Sequence, residues 1–143
     1  MEYRVDLYKE EILEHYRNPR NHGVLRKTNA GATVANPLCG DRLSMTLLIE
    51  KKDKDEVISD VAFENDGCAI SCAAASMLTE QIKGRKLSEV LDMRDEDIIK
   101  IIGMKLMPNR TKCALLSLEV FKKAVLNWRE KKSYGPKIYG KNK

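Results

Sequence analysis

Hydrophobic positions along this chain switch from a period of two to a period near 3.6, and the switch divides it into elements. In DRLSMTLLIE (41–50), Leu43, Met45, Leu47 and Ile49 alternate with Arg42, Ser44, Thr46 and Glu50. In EVISDVAFEND (56–66), Val57, Val61 and Phe63 share one side, with Ser59 between them. Alternation in β-branched and aromatic residues predicts two strands, and the charged KKDKD between them supplies a turn, giving an antiparallel hairpin with one buried face. From Ala69 the spacing lengthens. Ile70, Ala73, Ala74, Met77, Leu78 and Ile82 recur at three and four, which predicts one stripe of an amphipathic helix ending near Gly84.

The flanking segments are helical as well. The run from Asp6 to Arg17 predicts a short helix with Leu7, Ile12, Leu13 and Tyr16 as its apolar positions, and Asn18-Pro19 ends it because a residue before proline avoids the helical region. A polar link through Gly23 and Gly31 leads to ATVANPLCGD. LSEVLDM reads as a shorter helix with Ser88 and Glu89 near its start, and DEDIIKII as another short helical segment. A last helix begins near Thr111, with Ala114, Leu118, Phe121, Val125 and Trp128 facing inward. Strands first and helices afterwards predict an α+β domain, a small antiparallel sheet of about three strands with helices packed on one face.

At 143 residues, 43% of them apolar and 33% charged, the chain is long enough for one ordinary globular core and is not of disordered composition. No apolar run approaches the roughly 18 residues needed to cross a bilayer, and MEYRVDLYKEE lacks the apolar core of a signal peptide. A cytoplasmic location with no membrane partner is the expectation. Disulfides do not persist there, so the four cysteines read as metal-binding, reactive or buried. The net charge of +5 suggests nucleic acid until it is located. Six basic residues from Arg129 onward, against Glu130, account for all of it. We therefore expect one domain over 1–128 and a basic, flexible tail over 129–143, with no coherent basic surface for nucleic acid.

Each of three cysteines falls at a boundary between elements. Cys39 and Asp41 flank Gly40 in the turn entering the first strand; if that turn is extended, the two project to the same side. Cys68 follows Gly67 where the second strand gives way to the long helix, and Cys113 follows Lys112 near the start of the last helix. Helix N-termini carry partial positive charge and unpaired N–H groups, which favour a thiolate. The spacings lack the C-x2-C knuckles of a zinc ribbon. Three cysteines and an aspartate could still hold tetrahedral zinc or ligate an iron–sulfur cluster, and unrelated buried or surface cysteines stay open as the alternative.

In order along the chain, HYRNPRNHG, NPLCGDR, FENDGCAISCAAASM and KCALLSLEVFKKAV resemble the IscU/NifU-type iron–sulfur cluster assembly scaffolds, including the SufU branch. The match runs from about Tyr8 to Val125. The resemblance implies a scaffold, without turnover of its own, that accepts persulfide sulfur from a cysteine desulfurase. It would combine that sulfur with iron, from an iron donor or frataxin-like protein, and pass a labile [2Fe-2S] cluster to apo acceptor proteins. Cys39, Asp41, Cys68 and Cys113 would be the ligands, Cys113 the persulfide acceptor, and Asp41 the weaker oxygen ligand that keeps the cluster labile. Zinc would occupy the same residues in the cluster-free form. A monomer is implied without a cluster, with dimerisation of the clustered form left open.

The chain mixes features of two branches. Lys112 stands where the IscU branch has histidine, as in SufU; it would stabilise a thiolate or persulfide but cannot coordinate metal while protonated. The insertion that SufU proteins carry before the last cysteine is missing. The alternative function is accordingly a SufU-like zinc-dependent sulfurtransferase. LMPNRTKC matches the LPPVK chaperone motif only at Pro108 and Arg110, which argues against an Hsp70-type partner. Cys72, one turn after Cys68, reads as a small residue packed beneath the site or as an auxiliary thiol. His15 and His22 read as surface residues rather than ligands.

Overall fold

The computed structural model of the chain describes residues 10–37 and 40–130. In order it runs α1 (Glu10–Arg17), β1 (Ala30–Asn36), β2 (Asp41–Lys52), β3 (Asp55–Asp66), α2 (Ala69–Ile82), α3 (Leu87–Leu91), α4 (Asp95–Ile102) and α5 (Pro108–Arg129). The strands form one antiparallel sheet in the order β1-β2-β3. Helix α5 packs across β1 and β2, and α2 lies against α1, α5 and β3. This is the expected α+β arrangement with helices on one sheet face. Leu7 and most of the expected tail, residues 131–143, lie outside the described residues. No described helix is long and apolar enough to cross a membrane.

The third strand is β1, which the sequence presents only as a polar, glycine-containing link. Its AGATVAN is too small and too weakly alternating to signal a strand, yet the same smallness lets α5 close onto it. Asn127 Nδ2 donates to the Gly31 carbonyl at 3.1 Å across that contact. On β2 the alternation holds, with Leu43, Met45, Leu47 and Ile49 all buried. On β3 it breaks. Phe63 pairs with Met45, Val61 with Leu47 and Asp60 with Leu48, but Ile49 then pairs with Ile58, leaving Ser59 as the extra residue of a β-bulge. The expected inward position of Val57 therefore passes to Ile58, which is fully buried while Val57 is only half-buried. A bulge shifts side-chain parity by one, and burying an isoleucine side chain is worth about 1.5–3 kcal/mol, which fixes this register.

Helix α2 is not the one-sided amphipathic helix its spacing predicts. Every residue from Ile70 to Thr79 is buried, because α1 and α5 cover the sides that a surface helix leaves to water. Its small residues permit the close approach, and its buried hydroxyls are satisfied internally. Thr79 Oγ1 donates to the Ser76 carbonyl at 2.8 Å, and Ser76 Oγ lies 2.6 Å from His15 Nδ1 and accepts the Arg20 amide at 2.8 Å. Ser76 Oγ thus joins α1 to α2 through His15 Nδ1, while His15 Nε2 faces Glu80 Oε1 at 3.6 Å. His15 is thus 5% exposed, not the surface residue expected, whereas Tyr16, expected inward, is half exposed. His22 is exposed, with its ring edge-on to Phe63. Helix α5 also starts a turn earlier than expected, because Pro108 suits a first helical position where its missing N–H costs nothing.

Removing the His15 ring takes away both a buried contact and a hydrogen bond. His15→Ala is expected to destabilise the protein by about 1–3 kcal/mol, lowering the midpoint of thermal unfolding followed by circular dichroism. An unchanged midpoint would show that α1 docks without this contact.

Candidate metal centre

The strand register sets up the site. Arg42 pairs with Asp66, so Asp41 at the start of β2 lies beside Gly67 at the end of β3, where the chain turns into α2. Cys68 is the N-cap of α2, with extended backbone (φ −81°, ψ 167°). The second turn of α5 brings in Cys113 from the other side. Ligand atoms of Asp41, Cys68 and Cys113 come within 4.8 Å of one another. The structure therefore assembles three of the four residues singled out from the sequence.

Asp41 is held in place by the start of α2. The Cys68 amide donates to its Oδ1 at 2.9 Å, and Cys68 Sγ lies 3.4 Å from its Oδ2. Sequence inspection passes over the residue that permits this. A Cβ on Gly67 would lie 2.0 Å from Asp41 Oδ1 and 2.6 Å from its Cγ, so any side chain there displaces the carboxylate. The signal was a glycine just before a cysteine at a strand–helix junction, where close backbone approach is a standing reason for glycine.

Burial differs across the trio. Asp41 is 2% exposed and Cys113 1%, while Cys68 is half-buried. Cys113 is not at a helix start as expected. It is the sixth residue of α5, past the first turn where the helix dipole acts. Cys39 lies outside the described residues, between Pro37 and Gly40. Gly40, just before Asp41, has φ of 78° and donates its N–H to the Asn36 carbonyl at 2.8 Å. Cys72 is 4% exposed, packs in the core, and is not in the three-residue group. Burial, and to a lesser degree Cys68, push its thiol pKa up. Lys112 is exposed and lines a cleft of about 460 Å³ together with Asn36, Pro37 and Glu119.

The donor set fits a soft or borderline metal. Tetrahedral zinc with Zn–S of about 2.3 Å puts its ligand atoms roughly 3.5–3.8 Å apart, which the trio reaches with only small side-chain movements. Thiolates with one carboxylate serve zinc or iron and do not suit magnesium or calcium. Displacing Asp41 should weaken the set. Gly67→Ala is expected to lower zinc affinity at least tenfold, measured by competition with a chromophoric chelator, with the helical circular dichroism retained. Unchanged affinity would mean that the carboxylate does not contribute.

Comparison with known proteins agrees with this geometry. The NifU-like N terminal domain matches residues 7–134. The zinc-dependent sulfurtransferase SufU of Bacillus subtilis (strain 168) is 36% identical over 136 residues, covering 83% of this chain and 89% of that protein. The iron–sulfur cluster assembly scaffold protein IscU of Aquifex aeolicus (strain VF5) is 36% identical over 121 residues, covering 85% of this chain and 75% of that protein. Among solved structures, the SufU protein of Fervidobacterium islandicum AW-1, described as an iron–sulfur cluster assembly scaffold for the SUF system, superposes with a TM-score of 0.68 at 29% identity, covering 83% of this chain and 96% of that one. With the motifs at Asp41, Cys68 and Cys113 gathered into one site, the chain belongs to the NifU-like N-terminal domain family, whose relatives carry the names IscU, SufU and NifU.

Proposed function

We propose that this protein is a scaffold for iron–sulfur cluster assembly. It accepts sulfur as persulfide from a cysteine desulfurase, without turnover of its own. An external reductant supplies the two electrons that take each persulfide sulfur to sulfide and regenerate the thiolate. With iron, the sulfide forms a labile [2Fe-2S] cluster that passes to acceptor proteins. The observation that carries this is the mixed carboxylate–thiolate trio of Asp41, Cys68 and Cys113. Cys39 completes the ligand set, and zinc takes the same residues when no cluster is held.

The geometry gives a physical reason for a labile cargo. The Asp41 carboxylate already accepts the Cys68 amide at 2.9 Å. A carboxylate shared between a helix amide and a metal is a weaker ligand than a thiolate committed to the metal alone, and mixed ligation favours release over retention. Sulfur acceptance falls to Cys113, and Lys112, beside it in the chain, supplies a cation to steady the persulfide anion. Because Cys113 is 1% exposed, the donor must uncover this thiol before transfer.

The second reading, a zinc-dependent sulfurtransferase, draws on Lys112 and on the Bacillus relative. Against it stands collinearity. The 121-residue match to the Aquifex scaffold uses 85% of this chain, whereas the longer, 136-residue match to the Bacillus protein uses 83%, so that relative carries residues with no counterpart here.

Asp41→Ala is expected to slow loss of a reconstituted cluster severalfold, followed by the decay of its visible absorption in the presence of a chelator; faster loss would contradict the role of Asp41 in lability. Cys113→Ser is expected to abolish persulfide labelling by a desulfurase supplied with ³⁵S-cysteine. Full labelling in that variant would move the acceptor role to Cys39 or Cys72.

A further inference from the structure

Ser71 is the polar group at this site that no ligand set includes. It is the third residue of α2 and 1% exposed, so its hydroxyl has no access to water. Its Oγ donates to the Cys68 carbonyl at 3.0 Å and lies 3.9 Å from Cys68 Sγ. The Cys68 carbonyl has a second donor, the Cys72 amide, at 3.3 Å. The hydroxyl can therefore leave that carbonyl without orphaning it.

We propose that Ser71 is a positioning residue that hydrogen-bonds Cys68 Sγ when that sulfur is a metal-bound thiolate. The inference rests on the metal-binding role proposed above for Cys68. With the thiol protonated, Cys68 has its own proton to donate, and Ser71 satisfies its hydroxyl on the carbonyl. A thiolate has no proton and gains strong acceptor character, so the polarity of the Sγ–Oγ contact must reverse. With Oγ in place, rotation about the Cβ–Oγ bond carries the hydroxyl proton from one acceptor to the other, and the two acceptors belong to the same residue. Asp41 cannot do this job, because a carboxylate facing a thiolate only repels it. Ser71 thus withdraws electron density from one ligand sulfur, and hydrogen bonds to ligand sulfurs help set the potential and stability of thiolate metal centres.

Cobalt(II) bound to the full-length protein tests this, because its thiolate-to-metal charge-transfer bands report the electron richness of the sulfur directly. In Ser71→Ala the bands are expected to move to longer wavelength, since an unbonded thiolate donates more readily. The control is Ser76→Ala, about two turns beyond Cys68 in the same helix, whose hydroxyl is engaged with His15 and Arg20. It is expected to leave the bands in place. Thermal unfolding of both variants is followed alongside to confirm that each is folded. Unmoved bands in Ser71→Ala, or an equal movement in Ser76→Ala, would overturn the assignment. Absence of thiolate–cobalt bands in the unsubstituted protein would overturn the metal-site reading itself, and the two failures are distinguishable.

Discussion

The carboxylate of Asp41 occupies the space where residue 67 would carry a side chain, and the site depends on that one contact. It ties the first residue of β2 to the N-cap of α2 through the Cys68 amide. Around it, the β2–β3 ladder fixes where Gly67 falls, and α2 fixes the direction of Cys68. The packing of α5 against α2 and the sheet brings Cys113 to the same point from a segment 45 residues further along the chain. Close packing of these three elements on one core sets the positions of all three ligand residues.

This arrangement sets two opposing demands. Holding a cargo calls for thiolates, and releasing it calls for a ligand that lets go. Placing the carboxylate under the helix amide answers both, because Asp41 has a partner whether or not a metal is present. The Cys68 amide remains as its donor when the cargo leaves, and a buried polar group left without a partner is costly. The two thiols differ in exposure, Cys68 being half-buried and Cys113 1% exposed.

Most of the frame was legible in the sequence, and the exceptions share a cause. Alternation located β2, and the lengthened period located α2 and α5, because apolar spacing reports burial directly. Strand β1 was missed as a strand because Ala and Gly carry almost no apolar signal, although their small size is what α5 packs against. The bulge at Ser59 and the burial of α2 on every side are tertiary outcomes that no local period encodes. His15 looked like a surface residue because a histidine in a charged helix usually is, and its partner Ser76 lies 61 positions away. Asp41, Cys68 and Cys113 were found through residue type and position at element boundaries. Gly67 and Ser71 were not, since their roles are a missing atom and a rotatable proton, neither of which leaves a trace in residue spacing.

Anaerobic reconstitution with iron, cysteine, a cysteine desulfurase and a thiol reductant, followed by visible absorption and by iron, sulfide and zinc analysis, tests the central claim most directly. The account predicts a brown protein with matched iron and sulfide and with zinc displaced, the colour being lost when Cys68 or Cys113 is replaced. A colourless protein that keeps its zinc while accelerating the desulfurase would contradict it and establish a sulfur carrier instead.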